Sequence, residues 1–261
     1  MTDPIFAPGV GLLVGILVGM TGVGGGVVLL PLLIFGLGVA PLEAVGTGAA
    51  FSALSKVVVT GFNLKHKTVD WRLVGALSLG SIPASFGGVA MLAHLKTAYG
   101  SGLNSLLEHF IGWLLVLVPL LLIAQVILEK RTGAPLKTCV EHLPGVNRYT
   151  GAVVSGLIAG FLVGITSIGS GIVVIILLLL FYTRPTPVLV ATDVAHAVIL
   201  MGATALMHFE LGTVDLSLVF WLLLGAVPGA WIGTHFGARI PGAWLRTALI
   251  LLLVLTGIRM I

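Results

Sequence analysis

Lys56, Asp193 and His196 are ionisable side chains set well inside strongly apolar stretches of the 261-residue chain, away from their ends. A charge at membrane depth is expensive and is kept for a partner or a function. Asp193 and His196 are three residues apart, which puts them on one face of a helix. A carboxylate beside an imidazole, whose unperturbed titration lies near neutrality, is suited to accept and pass a proton. Lys56 could supply a full positive charge to an anion, or pair with Asp193. The plainer alternatives are a histidine hydrogen-bonded within a helix bundle and a lysine that snorkels to the interface. His66 and His208 sit near segment ends and are expected at the water boundary.

A second candidate set is a glycine-rich break. Thr21-Gly22-Val23-Gly24-Gly25-Gly26 reappears as Thr166-Ser167-Ile168-Gly169-Ser170-Gly171, displaced by 166 − 21 = 145 positions. The same displacement carries Thr47 onto Thr192, Thr68-Val69-Asp70 onto Thr213-Val214-Asp215, and Gly80, Pro83 and Gly88 onto Gly225, Pro228 and Gly233. Paired glycine-interrupted apolar segments in two halves point to the binding site of a secondary transporter. Backbone groups released at such a break need new partners, and the free amides that open the next half-helix, from Val27 and Ile172, suit an anion. The candidate substrate-binding set is therefore Thr21, Gly22, Gly24, Gly25, Gly26, Thr47, Lys56, Thr166, Ser167, Gly169, Ser170, Gly171 and Thr192, with Asp193 and His196 for proton coupling. The competing reading of the glycines is close helix crossing. The repeat is asymmetric in its charges, because Gly48 stands opposite Asp193 and Met201 opposite Lys56.

The elements that must position these groups are membrane helices. A chain 58% hydrophobic and 8% charged cannot cover itself with polar surface. Eight apolar stretches run from about Val10 to Gly38, Leu42 to Phe62, Leu73 to Leu95, Leu106 to Leu128, Gly151 to Phe181, Val188 to Met207, Leu216 to Ala238 and Trp244 to Ile258. The fold expected is an all-α polytopic membrane protein in two homologous halves. Residues 1–128 form the first repeat, 129–149 a cytoplasmic linker and 150–261 the second repeat. The first and fifth stretches either cross as kinked spans or re-enter as paired half-helices. Re-entry leaves only Lys96 and Arg259 outside and gathers the other loop lysines and arginines in the cytoplasm, as the positive-inside rule prefers. It also turns the second half upside down relative to the first. The opening segment lacks a basic n-region and a cleavage site, so a removable signal peptide is not expected. The basic residues lie in loops, where topology explains them, and no nucleic-acid partner is implied. One cysteine, Cys139, with His142 nearby is too little for a metal site. Asp70 and Asp215 read as helix N-caps, and Pro83 and Pro228 as sites of kinking and close packing.

The residues resemble the TauE/SafE sulfite exporter family, also called the 4-toluene sulfonate uptake permease family. The matching elements are Gly19-Met20-Thr21-Gly22-Val23-Gly24-Gly25-Gly26 with Pro31, Ala44-Val45-Gly46-Thr47, Thr68-Val69-Asp70-Trp71-Arg72 and Gly80-Ser81-Ile82-Pro83. The second half adds Ala191-Thr192-Asp193-Val194-Ala195-His196-Ala197, Gly212-Thr213-Val214-Asp215 and Gly225-Ala226-Val227-Pro228-Gly229. The resemblance implies a multi-pass transporter of the prokaryotic inner membrane that moves sulfite or an organosulfonate. Gly48 and Ser170 depart from the family pattern within the proposed pocket. The partners expected are a small anionic substrate and the lipid bilayer, with no cofactor and no metal. A homodimer is one option for its assembly. An anion channel and a non-transporting membrane scaffold are the rival functions. An intramembrane enzyme is disfavoured, since neither a nucleophile pair nor a metal-ligand motif is present.

Overall fold

With no water in the hydrocarbon layer, a chain this apolar has to close its backbone hydrogen bonds within helices. The computed structural model of the protein describes residues 6–21, 26–63, 69–132, 148–168, 171–181, 186–237 and 242–261, and among these residues no strand occurs. In chain order the helices are α1 (Ala7–Thr21), α2 (Gly26–Pro31, continued by a π turn over Leu32–Gly36), α3 (Pro41–Asn63), α4 (Trp71–Tyr99), α5 (Gly102–Thr132), α6 (Arg148–Thr166), α7 (Ile172–Phe181), α8 (Thr186–Glu210), α9 (Leu216–Gly237) and α10 (Gly242–Met260). Five described segments are long and apolar enough to cross a membrane: Trp71–Tyr99, Gly102–Leu120, Tyr149–Thr166, Val188–Glu210 and Leu216–His235. By contrast α7, at 10 residues, is about 15 Å long, roughly half of a ~30 Å hydrocarbon core. Helix α5 runs on to Thr132 and α6 opens at Arg148, so both ends of the expected linker are helical. Its middle, with Cys139 and His142, lies outside the described residues, as does His66.

The helix boundaries follow from local chemistry. Asp70 accepts a hydrogen bond from the Leu73 amide at 3.3 Å, and Asp215 accepts one from the Leu218 amide at 3.0 Å. Each carboxylate thereby satisfies a donor that a helix N-terminus leaves free. At the far end of α4, Gly100 takes φ +53° and its N–H closes on Lys96 O, a positive-φ conformation that glycine adopts without a Cβ penalty. Both α4 and α9 continue as helices through Pro83 and Pro228.

The packing is reciprocal between the halves. Helix α1 lies along α9, α6 lies along α4, α3 crosses α8, and α5 pairs with α10. A Cβ on Gly11, Gly15 or Gly19 of α1 would overlap the backbone of Leu222, Ala226 or Ala230. On α6, Gly156, Gly160 and Gly164 meet Leu77, Ser81 and Ser85 in the same way. Every one of these contacts maps onto its counterpart by the displacement of 145 seen in the sequence. The reverse faces agree: Gly225 and Gly233 approach Pro8 and Ile16, and Gly80 and Gly88 approach Val153 and Phe161. Small residues spaced by four let two backbones touch, so dispersion and weak Cα–H···O contacts replace the hydrophobic drive that lipid does not supply. Around these pairs Leu29, Leu30 and Leu33 of α2 are fully buried against Phe51, Ile111 and Leu115. Trp71, Leu79, Trp113 and Phe220 are exposed, as side chains facing acyl chains would be.

Candidate functional site

The central crossing of α3 and α8 positions the charges. Lys56 on α3 is 4% exposed, Asp193 on α8 is 1% exposed and His196 is fully buried. Although 137 residues separate Lys56 from Asp193 in sequence (193 − 56), the two interact electrostatically, and Lys56 also acts on His196. A third helix joins them: Ser81 Oγ of α4 lies 2.8 Å from His196 Nε2. Among the described residues Asp193 Oδ1, His196 Nδ1 and Ser52 Oγ are buried without a hydrogen-bond partner. Such groups are costly in a low-dielectric interior. The site thus gathers a cation, a carboxylate, an imidazole and hydroxyls where apolar packing would otherwise be expected.

The two breaks approach the same place. Gly26, which opens α2, sits where a Cβ would stand 2.7 Å from Ser167 O and 3.2 Å from Ser52 Oγ. Ser167 adopts φ +53°, a left-handed conformation uncommon for a side-chain-bearing residue. Its N–H bonds to Val163 O at 2.7 Å, and its hydroxyl donates to Val45 O on α3 at 2.6 Å. Thr166 donates to Leu162 O and accepts from Ile168 N, which closes the end of α6 with its own side chain. Gly171 is buried, and its carbonyl starts the α7 ladder by accepting from Ile175 N. Gly22, Gly24, Gly25, Gly169 and Ser170 lie outside the described residues; Thr21 closes α1.

Thr47 and Thr192 are buried as fasteners between halves. Thr47 Oγ1 accepts from Asp215 N at 3.1 Å, and Thr192 Oγ1 accepts from Asp70 N at 3.1 Å. Thr192 also donates to Val188 O. These bonds tie each central helix to the start of the other half's long helix.

Several polar groups escaped the sequence reading. Ser81 was visible within Gly80-Ser81-Ile82-Pro83, but nothing local shows that it meets a histidine 115 residues away. Ser52, one turn before Lys56, could have been found from the helical spacing alone. His208, expected at the water boundary, is fully buried instead. The turn after α8 folds back so that His208 Nδ1 lies 3.0 Å from Thr213 Oγ1, while Nε2 donates to Gly164 O at 3.1 Å.

Comparison with known proteins agrees with this architecture. The chain is similar to "Probable membrane transporter protein YjnA" of Bacillus subtilis (strain 168), with 34% identity over 251 residues covering 96% of this chain and 97% of that protein. It is also similar to "Probable membrane transporter protein YunE" of the same organism, 28% identical over 245 residues, covering 88% and 85% of the two chains. A relative from Sinorhizobium fredii (strain NBRC 101917 / NGR234), "Probable membrane transporter protein y4hK", is 25% identical over 227 residues, 86% of this chain and 85% of its own. No solved structure matches the chain. The family described as "Sulfite exporter TauE/SafE" matches residues 7–260, so the chain belongs to the TauE/SafE sulfite exporter family and is a multi-pass membrane transporter.

Proposed function

We propose that the protein exports a small sulfur-containing anion, sulfite or an organosulfonate, across the cytoplasmic membrane in exchange for protons. The observation that carries this reading is the buried cluster of Lys56, Asp193, His196 and Ser81 beside the meeting point of Gly26 and Ser167. Lys56 supplies the charge an oxyanion requires, and hydroxyls and break amides supply charge-assisted hydrogen bonds. In this reading Thr21, Gly22, Gly24, Gly25, Gly26, Thr166, Ser167, Gly169, Ser170 and Gly171 belong to the substrate-binding set. Thr47 and Thr192 hold the two central helices at the spacing the anion needs. Asp193 and His196 exchange protons while Lys56 holds or releases the anion, so that proton and anion occupancy compete for one set of charges.

The reciprocal contacts at a displacement of 145 support two halves that act as inverted repeats around this midplane site. The loop charges favour a cytoplasmic-membrane orientation in which the first and fifth apolar stretches re-enter.

The test is thermal stabilisation of the detergent-purified protein with sulfite, sulfate, sulfoacetate, taurine, thiosulfate and simple carboxylates, followed by flux in sealed vesicles. Ligand binding to the folded state raises apparent stability. A shift confined to sulfur oxyanions and lost in Lys56→Ala is expected. Asp193→Asn is expected to retain binding and lose pH-driven flux; unchanged coupling in that variant would sink the proton assignment. Silence of both substitutions in flux would favour a scaffold role.

A further inference from the structure

We propose that His208 is a positioning residue for the second break: through a closed ring of contacts with Gly164, Ser167, Val45, Gly46 and Thr213 it sets the place of Ser167, and so the affinity for the anion. The inference rests on the anion-transport reading and deepens it by naming a residue outside the charged cluster on which the site depends. The ring can be followed from atom to atom. A carbonyl only accepts, so the 3.1 Å contact of His208 Nε2 with Gly164 O requires the proton on Nε2 and ties the end of α8 to the last turn of α6. Three residues on, Ser167 donates its hydroxyl to Val45 O of α3 at 2.6 Å. Gly46, next to Val45, is pressed against the turn after α8, where a Cβ would stand 2.5 Å from both Thr213 O and Thr213 Oγ1. Thr213 Oγ1 in turn lies 3.0 Å from His208 Nδ1 and donates to His208 O at 3.0 Å, which closes the ring. His208, Thr213 and Ser167 are all buried.

Two observations separate this ring from the scaffold. The first is the left-handed backbone of Ser167, φ +53°, a conformation that persists in a side-chain-bearing residue only where its surroundings over-determine it. The ring grips Ser167 from two directions, through the α6 turn that His208 holds and through the hydroxyl that Val45 holds. Ser167 O is also the atom that Gly26 faces, so a shift of Ser167 moves the meeting point of the two breaks. The second observation is asymmetry. Displaced by 145, Gly164, Val45 and Thr213 find their like in Gly19, Val190 and Thr68, but His208, Ser167 and Gly46 are answered by Asn63, Gly22 and Ala191. Gly22 has no hydroxyl to reach across, and Ala191 carries the methyl that Gly46 leaves out. The glycine contacts between long helices occur in both halves, whereas this polar ring belongs to one. It accompanies the half whose α8 carries Asp193 and His196, as a device for the site and not for the fold would.

The experiment measures sulfite flux against concentration in sealed vesicles for His208→Gln and His208→Asn. Glutamine places an amide donor at the reach of Nε2 and keeps the tie to Gly164 O. Asparagine reaches only as far as Nδ1 and keeps the local bond to Thr213 alone. The KM for sulfite is expected within about twofold of the wild type for His208→Gln and raised roughly fivefold or more for His208→Asn, with the maximal rate per folded protein changed far less, the signature of lost binding. Ser167→Gly, which accepts the left-handed backbone but lacks the hydroxyl, should raise KM by itself. Adding His208→Asn to it should raise KM by no more than about twofold further, because both act on one residue. Thr213→Val takes the place of His208→Asn in that cycle if the asparagine variant does not fold. In wild-type vesicles that move sulfite, an unchanged KM for His208→Asn, an equal loss for His208→Gln, or effects that multiply in the double variant would overturn the positioning role and leave the transport reading intact. Wild-type vesicles that move neither sulfite nor any sulfonate would instead remove the transport reading, and this role with it.

Discussion

Replacing Lys56 with methionine puts a number on the central charge pair. Met201 already occupies the position displaced by 145 from Lys56 and is fully buried, so a methionine in this helix environment is sterically acceptable. The replacement leaves Asp193 facing an interior that no longer compensates it. Breaking a buried charge pair by removing one partner costs about 3–5 kcal/mol, most of it the penalty of the stranded charge. Asp193→Asn strands Lys56 in the same way. Lys56→Met combined with Asp193→Asn removes both charges, and with them both penalties. Thermal or denaturant unfolding of the four proteins in detergent closes a double-mutant cycle, and a coupling of about 2–3 kcal/mol is expected. The double variant should melt closer to the wild type than either single one, yet lose stabilisation by sulfite. Ligand at a hundred times its dissociation constant contributes about 2.7 kcal/mol, well within reach of the assay. Additivity within about 0.5 kcal/mol would refute the pairing. A double variant still stabilised by sulfite would refute the role of Lys56 in holding the anion.

Two further outcomes test the scaffold. Gly15→Ala and Gly160→Ala each push a methyl into a facing backbone and should cost about 1–3 kcal/mol. Gly202→Ala, with no atom within 4 Å of the added carbon, should be neutral or stabilise by about 0.5–1 kcal/mol through helix propensity; melting temperatures that rank these three otherwise would contradict the packing described. Thr47→Val and Thr192→Val each remove a hydroxyl that accepts from the first residue of a cap, Asp215 or Asp70. Each should lower stability by about 1 kcal/mol, and a silent substitution at one with a clear loss at the other would break their equivalence.

Much of the architecture was legible because it rests on short-range signals. Apolar stretches marked the long helices, and Asp70 and Asp215 stood where a free amide needs an acceptor. The displacement of 145 read from the breaks also governs helix contacts whose own signal was overlooked. Gly11, Gly15 and Gly19, with Gly156, Gly160 and Gly164, form two Gly-x-x-x-Gly-x-x-x-Gly rows in which every added Cβ would overlap a facing backbone. The sequence reading assigned close packing to the neighbourhoods of Pro83 and Pro228 and, as the competing reading, to the glycines of the two breaks, but not to these rows. What sequence could not show is which buried groups meet. Nothing local joins Ser81 to His196, or reveals that Ser167 reaches Val45 across 122 residues. His208 misled for the same reason: proximity to a helix end reports exposure only when the following turn leads into water, and here Thr213 of that turn folds back onto His208 while the imidazole reaches Gly164 O.

The contrast between a symmetric scaffold and asymmetric chemistry has a physical basis. A glycine contact survives duplication because both partners are copied together, and two copies simply double a favourable packing term. A buried charge does not. Copying Lys56 and Asp193 onto positions 201 and 48 would place four ions in one dry crossing, each carrying a desolvation penalty of several kcal/mol, while a single anion needs only one set. Met201 and Gly48 stand at those positions, and Phe51 and Ala226 stand opposite His196 and Ser81. The second set of positions therefore lacks the charges of the proposed site. In the mechanism proposed above, one half supplies the cation and the other the carboxylate, so any motion of one half against the other would change the field at a bound anion. That coupling of relative position to electrostatics is what a carrier needs to bind on one side of the membrane and release on the other.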